Sequence, residues 1–164
     1  MTYTKNIFIL WANLALLFAL SGCSFKEYNN SQAKLITIKT PTLKFSDIGY
    51  FRSDETSVQV ELYTSGIAVQ KFEIERYVCT NDGCLSKNAF NEDYLSGYYP
   101  DELLKNVLLK KPIYSGRNLE KNDNGYSQHI VDEDVNITYK VLKDSMRFQD
   151  SKNHILIKFK KMKP

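Results

Sequence analysis

Apolar and polar positions alternate with period two over most of the chain, and this alternation predicts strands. Leu43 and Phe45, then Ile48 and Tyr50, recur near period two, with Gly49 as the candidate bulge. Val58, Val60 and Leu62 alternate with Gln59, Glu61 and Tyr63, the pattern of a half-buried antiparallel strand. Thr64-Ser65-Gly66 reads as a turn, and Ile67, Val69, Phe72 and Ile74 follow it, so the two segments predict a hairpin. Later, Val135, Ile137, Tyr139 and Val141 alternate with polar residues, as do Ile155, Ile157 and Phe159. Met146 and Phe148 make a short strand between them, Tyr126 to Ile130 a weak one before them. Leu35 to Ile38 predicts a short first strand, interrupted soon after by Pro41, and Gly116 to Gly125 reads as a loop rich in Asn, Asp and Gly.

The centre of the chain switches period. Ser86 is a good N-cap, and Leu85 and Phe90 stand at the staple positions around it. Phe90 and Tyr94 lie four apart on one helical face, and Gly97 closes that helix. Pro100 opens a second helix, with Asp101 and Glu102 in its first turn. Leu103, Leu104, Val107 and Leu108 form its apolar stripe, Lys110 and Lys111 its basic end, and Pro112 its stop. The order is strands, two short helices, then strands. The expected fold is α+β and mainly antiparallel: an unclosed, half β-barrel with the two central helices as a lid. A β-sandwich is the alternative, because many short strands also suit it.

The N-terminus carries a different pattern. Lys5 precedes the run Ile7 to Leu20, apolar except for Asn13, and Leu20-Ser21-Gly22-Cys23 ends it. This is the layout of a secretory signal peptide, and the run is short for a bilayer span. Leu-Ser-Gly-Cys resembles the bacterial lipobox. That resemblance implies cleavage after residue 22, with a diacylglycerol and an N-acyl chain on Cys23 as the only non-protein groups. The expected organisation is thus a signal peptide over 1–22, a lipidated tether over 23–34 and one β-rich domain over 35–164. Ser24 after the cysteine, rather than Asp, favours the outer membrane on its periplasmic side under the common enterobacterial sorting rule.

Composition narrows the functions. Twenty-two basic and 19 acidic side chains leave a formal charge of only +3. That balance speaks against a nucleic-acid partner, which usually shows as a strongly basic stripe. Cys79 and Cys84 flank the turn residues Thr80-Asn81-Asp82-Gly83. In an exported chain they are expected to form a disulfide, since a zinc site would need more convergent ligands than His129 and His154 supply. Both histidines fall in predicted strands without a nucleophile motif nearby, and no phosphate loop or metalloprotease motif is present. Asp132-Glu133-Asp134 lacks calcium-loop spacing and reads as a solvated turn. Lys158, Lys160, Lys161 and Lys163 suit either acidic headgroups or a charged edge that resists strand pairing. No enzyme is expected.

The strands Leu43–Phe51, Val58–Tyr63 and Ile67–Ile74, the segment Leu103 to Pro112, then Gly125 to Gln128, Val135–Val141 and Ile155–Met162 resemble the LolA/LolB-like lipoprotein carriers in order and pattern. The resemblance implies an apolar hollow under a helical lid that holds acyl chains, and a membrane-anchored member that receives lipoproteins from a periplasmic carrier at the outer membrane. In such a hollow, the residues expected to face the ligand are Val60, Leu62, Leu104, Leu108, Ile137, Tyr139, Phe148 and Ile157. The composition, rich in Lys, Asn and Ile, and the run Cys79 to Asn91 also resemble small lipoproteins of epsilon-class proteobacteria, a likeness that carries no activity with it. The rival expectation is an envelope structural or protein-interaction lipoprotein whose core is closed. A lipid-processing enzyme comes third.

Overall fold

A computed structural model describes residues 28–162. The expected signal peptide over 1–22, the expected lipidation site Cys23 and Lys163 lie outside them.

Eleven strands form one unclosed antiparallel sheet, and two short helices pack on it. The strands are β1 (Asn30–Lys39), β2 (Lys44–Ser53), β3 (Val58–Thr64), β4 (Ile67–Ile74), β5 (Val78–Thr80) and β6 (Gly83–Leu85), then β7 (Leu119–Asn122), β8 (Gly125–Val131), β9 (Asn136–Leu142), β10 (Ser145–Asp150) and β11 (Ile155–Lys161). Their spatial order is β6-β5-β4-β3-β2-β1-β11-β10-β9-β8-β7. Each half is therefore a meander, in which every strand pairs with its sequence neighbour. The halves join where β1 pairs with β11, Lys34 opposite Lys161 and Ile38 opposite Ile157. The chain between β6 and β7 carries α1 (Lys87–Tyr94) and α2 (Leu103–Leu108) from one edge of the sheet to the other. The buried face of the sheet and the apolar stripe of this crossover make one core, from Ile36 and Val60 through Val107 to Ile137 and Phe148.

The helices begin as their caps dictate. Ser86 is extended, and its Oγ accepts from the Ala89 amide at 3.2 Å. The second helix starts at Leu103 rather than at Pro100, because residues 100–102 form a turn closed by Leu103 N to Pro100 O at 2.9 Å. At its other end the amide of Lys110 reaches Val107 O and that of Lys111 reaches Asn106 O, a Schellman closure. Lys110 holds the left-handed position of that motif with φ 55°, where glycine is the usual occupant.

Several expectations need correction. Residues 30–34, expected to belong to the tether, are part of β1, for Asn30 already pairs with Ser53. Pro41 sits in the β1–β2 turn, where Thr40 Oγ1 accepts from the Leu43 amide at 3.0 Å. Gly49 is not a bulge: β1–β2 keeps register through it, and β2–β3 is in register from it to Ser53. It is instead a close approach, since a Cβ there would lie 2.6 Å from Glu61 O and from Ile36 Cδ1. With no phase shift at Gly49, Ile48 and Tyr50 point outward and are exposed. The irregularity falls between Leu62 and Tyr63 instead, and it leaves Ile67 and Val69 exposed while Phe72 and Ile74 face the core. The loop from Gly116 contains β7, which has a single aliphatic residue, Leu119, and so shows no alternation. His154 lies in the turn before β11 with φ 57°, whereas His129 is in β8 as expected. Finally, β11 is not a charged edge; β1 covers one side of it and β10 the other.

Candidate ligand-binding cavity

The two halves of the sheet meet the crossover differently. On the β8–β11 side, polar side chains stitch it down. Gln128 accepts from the Ile113 amide at 2.8 Å and donates to Ile113 O and Arg117 O at 2.9 and 2.7 Å. Tyr139 donates to Val107 O at 3.3 Å, and Tyr126 to Lys110 O at 2.9 Å. Gln128 gives the buried Ile113 amide its acceptor, and the two tyrosines add donors to carbonyls of the crossover. Tyr139, Phe148 and Ile137 fill the space beneath, all three fully buried, with Tyr139 and Phe148 edge-on at 6.2 Å.

Over β1–β4 the crossover meets the sheet through apolar side chains. Phe90 of α1 is edge-on to Phe72 of β4 at 6.2 Å and stacks on Tyr94 at 4.8 Å. The fit is incomplete and leaves an open cavity of about 200 Å³. Ile38, Val60, Phe72, Ile74, Ile157 and Phe159 form its floor, and Phe90, Tyr94, Leu95, Leu104 and Leu108 its roof. Thr40, Thr42, Gln70 and Asp82 are its polar lining residues. Asp82 belongs to the β5–β6 turn, which Asn81 holds against β4 by donating to Val69 O at 3.4 Å and accepting from the Lys71 amide at 3.2 Å. The same hairpin carries the Cys79–Cys84 disulfide, formed between directly opposed residues as the sequence suggested.

Of the eight residues expected to face a ligand, Val60, Leu104, Leu108 and Ile157 line this cavity. Leu62, Ile137, Tyr139 and Phe148 do not; all four are completely buried in packed core. Alternation placed them on the inner face correctly, but it carries no information on where that face is covered tightly. Phe72, Phe90, Tyr94 and Phe159 were missed as lining residues, although Phe90 and Tyr94 already shared a helical face in the sequence. Among the described residues no group of three or more His, Cys, Asp or Glu is placed to hold a metal ion, and no helix is long and apolar enough to cross a membrane.

Neither a protein-family model nor a curated protein sequence matches this chain.

Proposed function

We propose that this protein is a non-enzymatic lipoprotein, anchored to the periplasmic side of the outer membrane through acyl chains on Cys23, whose sheet acts as a half-barrel that binds acyl chains. Its role is then that of a LolB-like receptor for lipoproteins. The single observation that carries this reading is the open apolar cavity under α1 and α2. An acyl chain entering it is stabilised by roughly 0.8 kcal/mol for each methylene withdrawn from water. The cavity is smaller than the roughly 300–1,000 Å³ of drug-sized ligand sites, so it suits a segment of one chain, and more than one chain requires α1 to lift. An apolar α1–sheet contact supports such a motion, since no directional bonds there have to be replaced.

Ile67 adds a second support. It is 69% exposed at the β3–β4 turn, which an antiparallel meander puts at the same end as the β1–β2 turn and its lining residues Thr40 and Thr42. An aliphatic tip beside the cavity suits contact with a lipid surface.

The test is the affinity of the full chain for a fluorescent fatty acid, together with its melting temperature. Leu104→Glu and Leu108→Glu place a carboxylate at the cavity roof. Affinity should fall by about tenfold or more while the melting temperature is nearly kept. A wild type that never binds the probe, with both variants melting far lower, identifies the rival function of a scaffold with a closed core.

A further inference from the structure

β1 turns one charged side chain, Lys34, to the same side as Ile36 and Ile38. Its ammonium lies 4.2 Å from the centre of the Phe51 ring. Directly across the β1–β11 ladder stands Lys161, on the same face by alternation and exposed at the rim. Lys110 comes to this place from the crossover: its ammonium holds the β9–β10 turn at Lys143 O, and the next residue of that turn, Asp144, accepts from the Lys161 amide at 2.8 Å. The Lys110 ammonium donates to Leu142 O and Lys143 O, both at 3.0 Å, which uses two of its three N–H groups. Among the described residues none of these three lysines forms an ion pair. Asp144 is the acid that acts on Lys110, whereas Lys34 feels only Lys110.

Withdrawing an amine from water is costly, and a second cation beside it raises the cost. Burial first, and Lys110 second, pull the pKa of Lys34 down to about 8. An oxyanion between the two would turn both penalties into attraction, through charge-assisted hydrogen bonds from Lys34 and from the unused N–H of Lys110. The Phe51 face under Lys34 holds the ammonium in place for it.

We propose that Lys34 and Lys110, with Lys161 at the rim, form a binding site for a phosphate-class oxyanion on the inner face of the sheet. The site lies about 20 Å along β1 from Thr40 and the cavity's polar lining. It does not depend on the acyl-chain reading. The oxyanion comes either from a phospholipid headgroup or from free phosphate.

Phosphorus NMR titrations of the full chain in detergent distinguish these sources, with inorganic phosphate and dihexanoylphosphatidylglycerol as probes. Neutral dihexanoylglycerol, followed by proton NMR, is the control. Saturable binding of a phosphate probe is expected at neutral pH. It should weaken about tenfold in Lys34→Gln, the loss of one charge-assisted bond, and should be kept in Lys34→Arg. Binding of inorganic phosphate identifies the free ion; binding of the phospholipid alone identifies the headgroup. The proposal is overturned if neither probe binds, if Lys34→Gln binds like the wild type, or if dihexanoylglycerol binds as tightly as its phosphorylated counterpart. Lys34→Gln removes a half-buried charge and should fold. Should its melting temperature fall nonetheless, Lys110→Gln provides the second variant, and unchanged affinity there also overturns the site.

Discussion

The Tyr99 hydroxyl donates to Asp150 Oδ2 at 2.7 Å, joining the crossover to the end of β10 across 51 residues of chain. Asp150 is fully buried, and its other bonds come from the Asn136 amide at 3.1 Å, the Lys152 amide at 3.0 Å and Asn153. Burial pushes its carboxyl up. The bonds from Asn153, Tyr99 and the Asn136 backbone outweigh burial and hold it below its ordinary 3.8. A depressed carboxylate contributes stability above its unfolded value and loses it as the pH falls through the folded one. Tyr99→Phe should therefore cost about 1.5–3 kcal/mol at neutral pH. Urea denaturation should show the gap between variant and wild type narrowing well below pH 3.8. A gap unchanged in acid would refute the assignment.

Lys34 predicts a rise of stability with pH as well, in an alkaline window and from a penalty on the charged form rather than a gain. Its folded pKa is lowered from 10.5 to about 8, so between those values the unfolded chain binds the extra proton and stability rises with pH. Lys34→Met should thus be more stable than the wild type at neutral pH in phosphate-free buffer. The advantage should close by pH 10.5. Denaturation midpoints across that range decide it.

Cys79 and Cys84 are separated by only five positions, so the loop they close is short. Replacing both with Ala should cost at most about 2 kcal/mol, less than a long-loop bridge would. The Asn81 bonds to β4 keep the turn in place without it. Peptide mapping under non-reducing conditions should recover the two cysteines linked to each other.

Gly49 stands where the backbone of β3 and the side chain of Ile36 leave no room. Gly49→Ala should destabilise by about 1–3 kcal/mol, the usual penalty for overpacking, because Glu61 O belongs to the ladder and cannot move alone. Thermal melts followed by circular dichroism measure this. An unchanged melt would show that β2 and β3 separate more easily than their register implies.

Ile67→Glu should leave stability within about 0.5 kcal/mol, as surface changes do. Its effect should fall on association with phospholipid vesicles, measured by co-sedimentation. Equal sedimentation of variant and wild type would remove the β3–β4 turn from the membrane reading.

Local chemistry was readable where it acts within a few residues. Ser86 caps α1 because its Oγ reaches an amide three positions on. The Val58–Leu62 and Ile137–Val141 alternations gave the inner face of β3 and β9, and the spacing of Cys79 and Cys84 gave the bridge. Phase was harder. Ile48, Tyr50, Ile67 and Val69 are as apolar as the core residues, so composition could not tell that a continuous register at Gly49 turns Ile48 and Tyr50 outward, or that Ile67 and Val69 lie exposed at the hairpin tip beyond the shift after Leu62. The β7 strand has no alternation to read because it is an edge with one aliphatic side chain.

The sequence by itself determined most of the strands and both central helices and, for most of them, which side faces inward, because those properties follow from backbone periods of two and 3.6. Only the tertiary structure decided that β11 is central, because its partner β1 is more than a hundred residues away and nothing local specifies that pairing. Only it decided where the hollow is. Tyr139 and Gln128 bind the crossover tightly to one half of the sheet, while the apolar side chains around Phe72 and Phe90 leave a cavity of about 200 Å³ on the other, and that gap is a property of no single segment.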